Sequence, residues 1–130
     1  MTPTLNAFGL VVADMGRALA FYRAVGLDVP ADADAEPHAE ITLAGGVRLM
    51  LDTHATIRSF EPDWQPPTGG FRMGLACECA SPSEVDSKYA ELTAAGYHGH
   101  HEPWDAFWGQ RYATVHDPDG NPVDLYATLP

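Results

Sequence analysis

Positive charge is scarce in this chain. Lysine and arginine together number 7 against 18 aspartates and glutamates, a formal charge of −11 over 130 residues. Such a balance repels phosphate backbones and anionic lipid surfaces, so neither nucleic acid nor a membrane is expected as a partner. Long apolar runs are also missing: no stretch approaches the roughly 20 residues that a membrane-spanning helix needs. Met1-Thr2-Pro3-Thr4 lacks the basic start and apolar stretch of a secretory signal, which points to a cytoplasmic protein. There are only 2 cysteines. Cys77 and Cys79 sit two apart, so in a strand they share a face at about 7 Å, outside disulfide geometry, and read as reduced, partly buried thiols. No Gly-x-Ser-x-Gly elbow, no cysteine beside an ordered histidine and no phosphate-binding glycine loop is present, so nucleophilic catalysis and nucleotide handling have no support. What the chain does have is a hydrophobic fraction of 45 %, enough for one domain with a sizeable core.

Leu5 to Ala13 reads as a strand. Asp14 then caps a helix whose Met15, Ala18, Leu19, Phe21 and Tyr22 form one apolar stripe, and Gly26 ends it. An acidic, alanine-rich stretch from Ala31 to Pro37 precedes Ile41-Thr42-Leu43 and Val47 to Leu51, which Ala44-Gly45-Gly46 joins as a hairpin. From Ala55 to Gly70 the chain carries Pro62, Pro66, Pro67, Gly69 and Gly70, the composition of a loop. The same order then begins again. Phe71 to Cys79 reads as a strand, and Ser81-Pro82-Ser83-Glu84 supplies an N-cap, an N1 proline and a capping-box glutamate. The helix runs through Val85, Tyr89 and Leu92, carries a Glu84 to Lys88 spacing suited to an ion pair, and stops at Gly96. Strands through Arg111 to Val115 and Val123 to Ala127 follow, and His116, the polar turn Asp117 to Asn121 and Val123 make a closing hairpin.

Both halves therefore read strand, helix, strands at a spacing of about 60 residues, the mark of a duplicated unit. The expected fold is α+β: a single domain of two tandem βαβββ units, about 1–55 and 71–130, joined by a Pro/Gly-rich connector at about 56–70. The mixed sheets are expected to curl into a cup with the helices outside. A ferredoxin-like split unit is the structural alternative; it would place its second helix between later strands and use fewer hairpins.

Specific residues carry a resemblance. Asp14-Met15-x-x-Ala18-x-x-Phe21-Tyr22-x-x-x-Gly26-Leu27 resembles the opening helix, and Asp117-Pro118-Asp119-Gly120-Asn121 the closing hairpin, of the glyoxalase, bleomycin-resistance and dioxygenase superfamily, the vicinal oxygen chelate fold. The segment Pro103 to Tyr112 resembles its drug-binding branch, the mitomycin-binding resistance proteins in particular. Catalytic members hold a divalent metal with side chains from the first and last strands of each half. The resemblance places those positions at Ala7, Met50, Arg72 and Asp124. Only Asp124 suits a divalent cation, and a nearby guanidinium opposes one, so no metal, no cofactor and no catalytic residue is expected.

Candidate ligand-binding residues follow. Trp104, Phe107 and Trp108 offer more aromatic area than a turn needs, with core packing or a dimer seam as the alternative for the first two. The resemblance favours Trp108 as a ligand wall and brings Tyr112 with it. His38 is a candidate second flat wall facing Trp108, or an ordinary surface histidine. Glu40, Arg48 and Asp52 lie in or beside the first hairpin and either meet solvent or bond a polar ligand edge; Met50 lies between them in sequence. Arg72 and Asp124 are a candidate salt bridge in the old metal place. His98, His100 and His101 invite a metal reading, but no carboxylate completes a shell at a suitable spacing, and they read as a solvated strand or loop. Trp64 and Phe60 are expected to cover a core edge.

The function expected from these features is non-catalytic binding of a flat, partly apolar small molecule by a homodimer, with resistance to a drug or antibiotic by sequestration. The alternative is a metal-dependent lyase, isomerase or dioxygenase of the same superfamily with a rearranged site built from Asp124, Glu40 or His38. A metal-free catalyst or carrier is a third reading.

Overall fold

The structure is a computed structural model and describes residues 2–130. It is α+β, with one three-stranded and one four-stranded mixed sheet. The chain divides into two compact units, the first ending at Thr68 and the second running from Gly69 to Pro130. No helix among the described residues is long and apolar enough to cross a membrane.

The first unit comprises β1 (Ala7–Val12), α1 (Met15–Val25), β2 (His38–Thr42), β3 (Arg48–Thr53) and α2 (His54–Arg58). Asp14 caps α1 as its sequence position implies, the carboxylate accepting the Arg17 N–H at 2.9 Å, and Gly26 closes it at φ 118°, a conformation that glycine adopts without a Cβ penalty. Strand β3 lies between β1, which it pairs in parallel, and β2, which it pairs antiparallel. Side-chain alternation gives the sheet two faces. Leu49, Leu51, Ala39, Ile41 and Val12 are buried with Met15, Leu19 and Tyr22 of α1. The other face carries His38, Glu40, Arg48, Met50 and Asp52. The stretch read as a loop from Ala55 contains α2, because the Thr53 hydroxyl accepts the Thr56 N–H at 3.2 Å and starts a helical turn. Trp64 packs back on this turn, its ring 5.0 Å from that of His54. Phe60, expected to cover a core edge, is 67 % exposed.

The second unit comprises β4 (Leu75–Glu78), α3 (Pro82–Ala94), β5 (His98–Ala106), β6 (Gln110–His116) and β7 (Pro122–Thr128), in the sheet order β4-β7-β6-β5. The capping box forms: Ser81 Oγ accepts the Glu84 N–H at 3.2 Å, while the Glu84 carboxylate turns back to the Ala80 N–H. Lys88 pairs with Glu91 at 2.7 Å, a turn in the other direction from the expected Glu84. Val85 and Leu92 of α3 are buried with Ala113, Val115, Val123 and Leu125. Arg111 reaches Asp86 of α3 at 2.9 Å and Asp105 of β5 at 3.1 Å. The closing hairpin is built on Asp117, only 4 % exposed. Its Oδ1 accepts the N–H groups of Asp119 and Asn121 at 2.9 and 2.8 Å, and its Oδ2 the Asn121 side-chain amide at 2.9 Å.

One strand is shorter than its sequence pattern. Phe71 to Gly74 lie outside β4, whose pairing with β7 begins at Leu75 opposite Val123. Pro122, next along β7, has no N–H to continue the ladder, and a Cβ on Gly74 would come within 3.3 Å of its ring.

Candidate functional site

Each unit presents a functionalised sheet face opposite its helix. In the first, register places His38 opposite Asp52, Glu40 opposite Met50 and Thr42 opposite Arg48. The His38 ring donates Nδ1–H to Asp52 at 2.6 Å and Nε2–H to Glu40 at 2.8 Å. Both partners are carboxylates, so the doubly protonated ring is the form that satisfies both contacts. Arg48 donates to the other Glu40 oxygen at 2.9 Å. Two carboxylates and two cations thus alternate across the strands. The His38 pKa is raised, chiefly by its bond to Glu40 and then by that to Asp52. Glu40 is held below the usual carboxylate range by His38 and then Arg48.

In the second unit Trp104 lies opposite Tyr112, and Tyr112 opposite Tyr126. The rings form a continuous array. Trp104 meets Trp108 edge-on at 5.4 Å, Phe107 meets Trp108 at 4.9 Å, Trp108 meets Tyr112 at 5.2 Å, and Tyr112 stacks on Tyr126 at 6.3 Å. Trp108 is oriented by its indole N–H, which donates to Gln110 at 2.8 Å. Trp104 and Trp108 are 42 % and 48 % exposed and Phe107 90 %, so this aromatic area is open rather than consumed by the core. Gly109, at φ 91°, permits the tight β5 to β6 turn that gathers the rings.

Asp124 lies beside this array. Its Oδ2 accepts the Tyr112 hydroxyl at 2.6 Å and its Oδ1 the Thr114 hydroxyl at 2.7 Å. Burial and this carboxylate push the Tyr112 phenol well above its ordinary pKa. The expected Asp124–Arg72 ion pair does not form. Arg72 precedes β4 and is exposed, and Ala76 is the residue opposite Asp124 in the ladder.

Of the positions the resemblance indicates, Ala7 offers no donor and Met50 only a thioether in the first unit, while in the second both Asp124 oxygens accept hydroxyl protons and Arg72 lies outside β4. His38 has no ring nitrogen free, and Glu40 is neutralised by Arg48. Neither unit by itself offers a donor set at these positions that fits a divalent cation.

Among the sequence candidates, the structure gathers Trp104, Phe107, Trp108, Tyr112 and Asp124 on the second unit. It places His38, Met50 and Asp52 on one face of the first, and leaves Arg72 outside both groups. Tyr126, Gln110 and Thr114 belong to the second group and escaped the sequence reading. Alternation along β7 marks Tyr126 as sharing a face with Asp124, but only the β6–β7 register brings Thr114 to that carboxylate. His116 is a further omission: its ring lies 4.5 Å from that of His100 and 5.1 Å from that of His98. Burial first, then the neighbouring histidines, lowers its pKa.

A profile of the Glyoxalase/Bleomycin resistance protein/Dioxygenase superfamily matches residues 4–125. The chain belongs to this superfamily. A superfamily protein from Nocardioides is 26 % identical, with a TM-score of 0.75 over 99 % of this chain and 85 % of that one. A superfamily enzyme from Burkholderia phytofirmans PsJN superposes with a TM-score of 0.82 at 18 % identity, over 98 % of this chain and all of the other. TioX from Micromonospora sp. ML1 gives 0.64 at 23 % identity, over 98 % and 100 %. A search of curated proteins finds no match.

Proposed function

We propose that this superfamily member is a non-catalytic binding protein that sequesters a flat, partly apolar drug or antibiotic. The observation that carries this reading is the open aromatic array Trp104–Trp108–Tyr112–Tyr126 with Asp124 fixed beside it. Aromatic faces supply stacking area, and the fixed carboxylate and net negative charge favour a cationic or neutral ligand. Sequestration needs shape, stacking and a few polar contacts, and so tolerates the loss of metal donors at the superfamily positions. The segment Pro103 to Tyr112, similar to that of the mitomycin-binding resistance proteins, supports the same branch. The working form in this reading is a homodimer, for which the exposed Phe71 and Met73 offer apolar area; sedimentation velocity tests it.

The experiment is a tryptophan-fluorescence titration against flat neutral and cationic antibiotics, with and without chelator. Saturable quenching that is indifferent to chelator is expected. Trp108→Ala is expected to weaken binding by about 1–3 kcal/mol with the fold intact. Unchanged affinity would remove Trp108 from the binding surface, and turnover lost on chelation would establish the metal-dependent alternative.

A further inference from the structure

Strand β5 begins at His98, which lies opposite His116 at the end of β6. The register then skips between Gly99 and His101, so that His100 is the extra residue of a β-bulge. The bulge lies where α3 packs against the strand. A Cβ on Gly99 would come within 2.2 Å of the Tyr89 hydroxyl and 3.0 Å of Thr93 Cγ2, so this point of the strand is pressed against the helix. The residues on either side of Gly99 turn to the opposite face. That face also receives His116, because it alternates with Thr114 and Tyr112 along β6.

The three imidazoles consequently meet. His100 stacks on His116 at 4.5 Å and 24°, His98 lies 5.1 Å from His116, and one nitrogen from each ring falls within 4.8 Å of the others. Among the described residues none of the three imidazoles makes a hydrogen bond or ion pair with a protein group, in contrast to His38, whose nitrogens are both engaged. Like histidines with unclaimed nitrogens gain little from one another as a structural element. They do match what a transition metal takes.

We propose that His98, His100 and His116 form a surface site for a late first-row divalent ion, of the class of Zn2+, Ni2+ and Cu2+. Zinc–imidazole bonds of about 2.0–2.1 Å place donor nitrogens roughly 3.3 Å apart in a tetrahedron, so the rings need to close by about 1.5 Å at most. Rotation of the exposed His98 and His100 supplies that movement. A neutral all-nitrogen set selects these ions over Mg2+, Ca2+ and Mn2+, which prefer oxygen. Three protein donors leave the remaining positions to water or an external ligand. None of these residues occupies a metal place of the superfamily, and the site is independent of the aromatic array.

The test is equilibrium dialysis and calorimetry of the untagged protein with Zn2+, supported by the visible spectrum with Co2+. One ion per chain is expected. His98→Ala and His100→Ala should each weaken it by about tenfold or more, while His101→Ala leaves it unchanged. His116→Gln keeps the volume of the half-buried ring and should also abolish the site, with circular dichroism confirming the fold. Absence of a saturable site or equal loss in His101→Ala overturns the proposal. Fluorescence titration of the same variants keeps the two readings separable, since antibiotic binding is expected to survive loss of the metal.

Discussion

Asp124 is held by two hydroxyl donors from β6, and its chemistry follows from that arrangement. A carboxylate with both oxygens engaged is a fixed negative partner for the Tyr112 phenol and, in the proposed function, for a ligand. Tyr112→Phe or Thr114→Val removes one donor, and chemical denaturation should show a loss of about 1–3 kcal/mol for either. Asp124→Ala should leave binding of a flat ligand detectable; abolition together with loss of bound metal would favour the enzyme reading. His38 behaves oppositely, because its charged form is the bound one. Its raised pKa means that the stabilisation is fully present below the ordinary 6.5 and is lost as pH rises through the folded value. Glu40, lowered from 4.5, contributes above that value and loses its share as pH falls through its folded pKa. The network is thus complete in the mildly acidic interval between them. NMR titration of the His38 ring should show a midpoint above 6.5, brought down by Glu40→Gln and by Asp52→Asn. A native midpoint at or below 6.5 would show that the ring does not hold both carboxylates in solution.

Helix α3 illustrates how an element is specified locally and positioned globally. Its start was legible in Ser81-Pro82-Ser83-Glu84, and Ser81→Ala should cost about 1 kcal/mol. Its docking depends on Gly99, a residue without local signal: Gly99→Ala should destabilise by about 1–3 kcal/mol, whereas Gly9→Ala, which meets no atom within 4 Å, should not. Thermal or urea unfolding of the pair measures this. The closing hairpin was equally legible, since Asp117, Gly120 and Asn121 act through bonds within five residues. The start of β4 was not, because Phe71 to Gly74 look strand-like and only Pro122, nearly 50 residues on, ends the ladder at Leu75. Helix α2 was hidden by the prolines that follow it.

For the chain as a whole, a charge of −11 means that, in the proposed function, electrostatics favour a cationic ligand. If the ligand is cationic, its affinity should fall as ionic strength rises from about 0.01 to 0.15 M, over which the screening length shrinks from about 30 to 8 Å. A neutral ligand of the same shape should be indifferent, and titration of a matched pair of dyes measures the difference. The repeated strand-helix-strand order, the caps, the turns and the aromatic cluster at Trp104 to Trp108 were all readable from residue order, because each rests on contacts a few positions apart. Cross-strand neighbours were decided only by the tertiary structure. The meeting of Tyr126 and Thr114 with Tyr112 and Asp124, the replacement of Arg72 by Ala76 opposite Asp124, and the gathering of His116 with His98 and His100 all depend on strand register. Register is set by pairing between distant segments and by a bulge beside the close approach of Tyr89 to Gly99, and no local pattern encodes either.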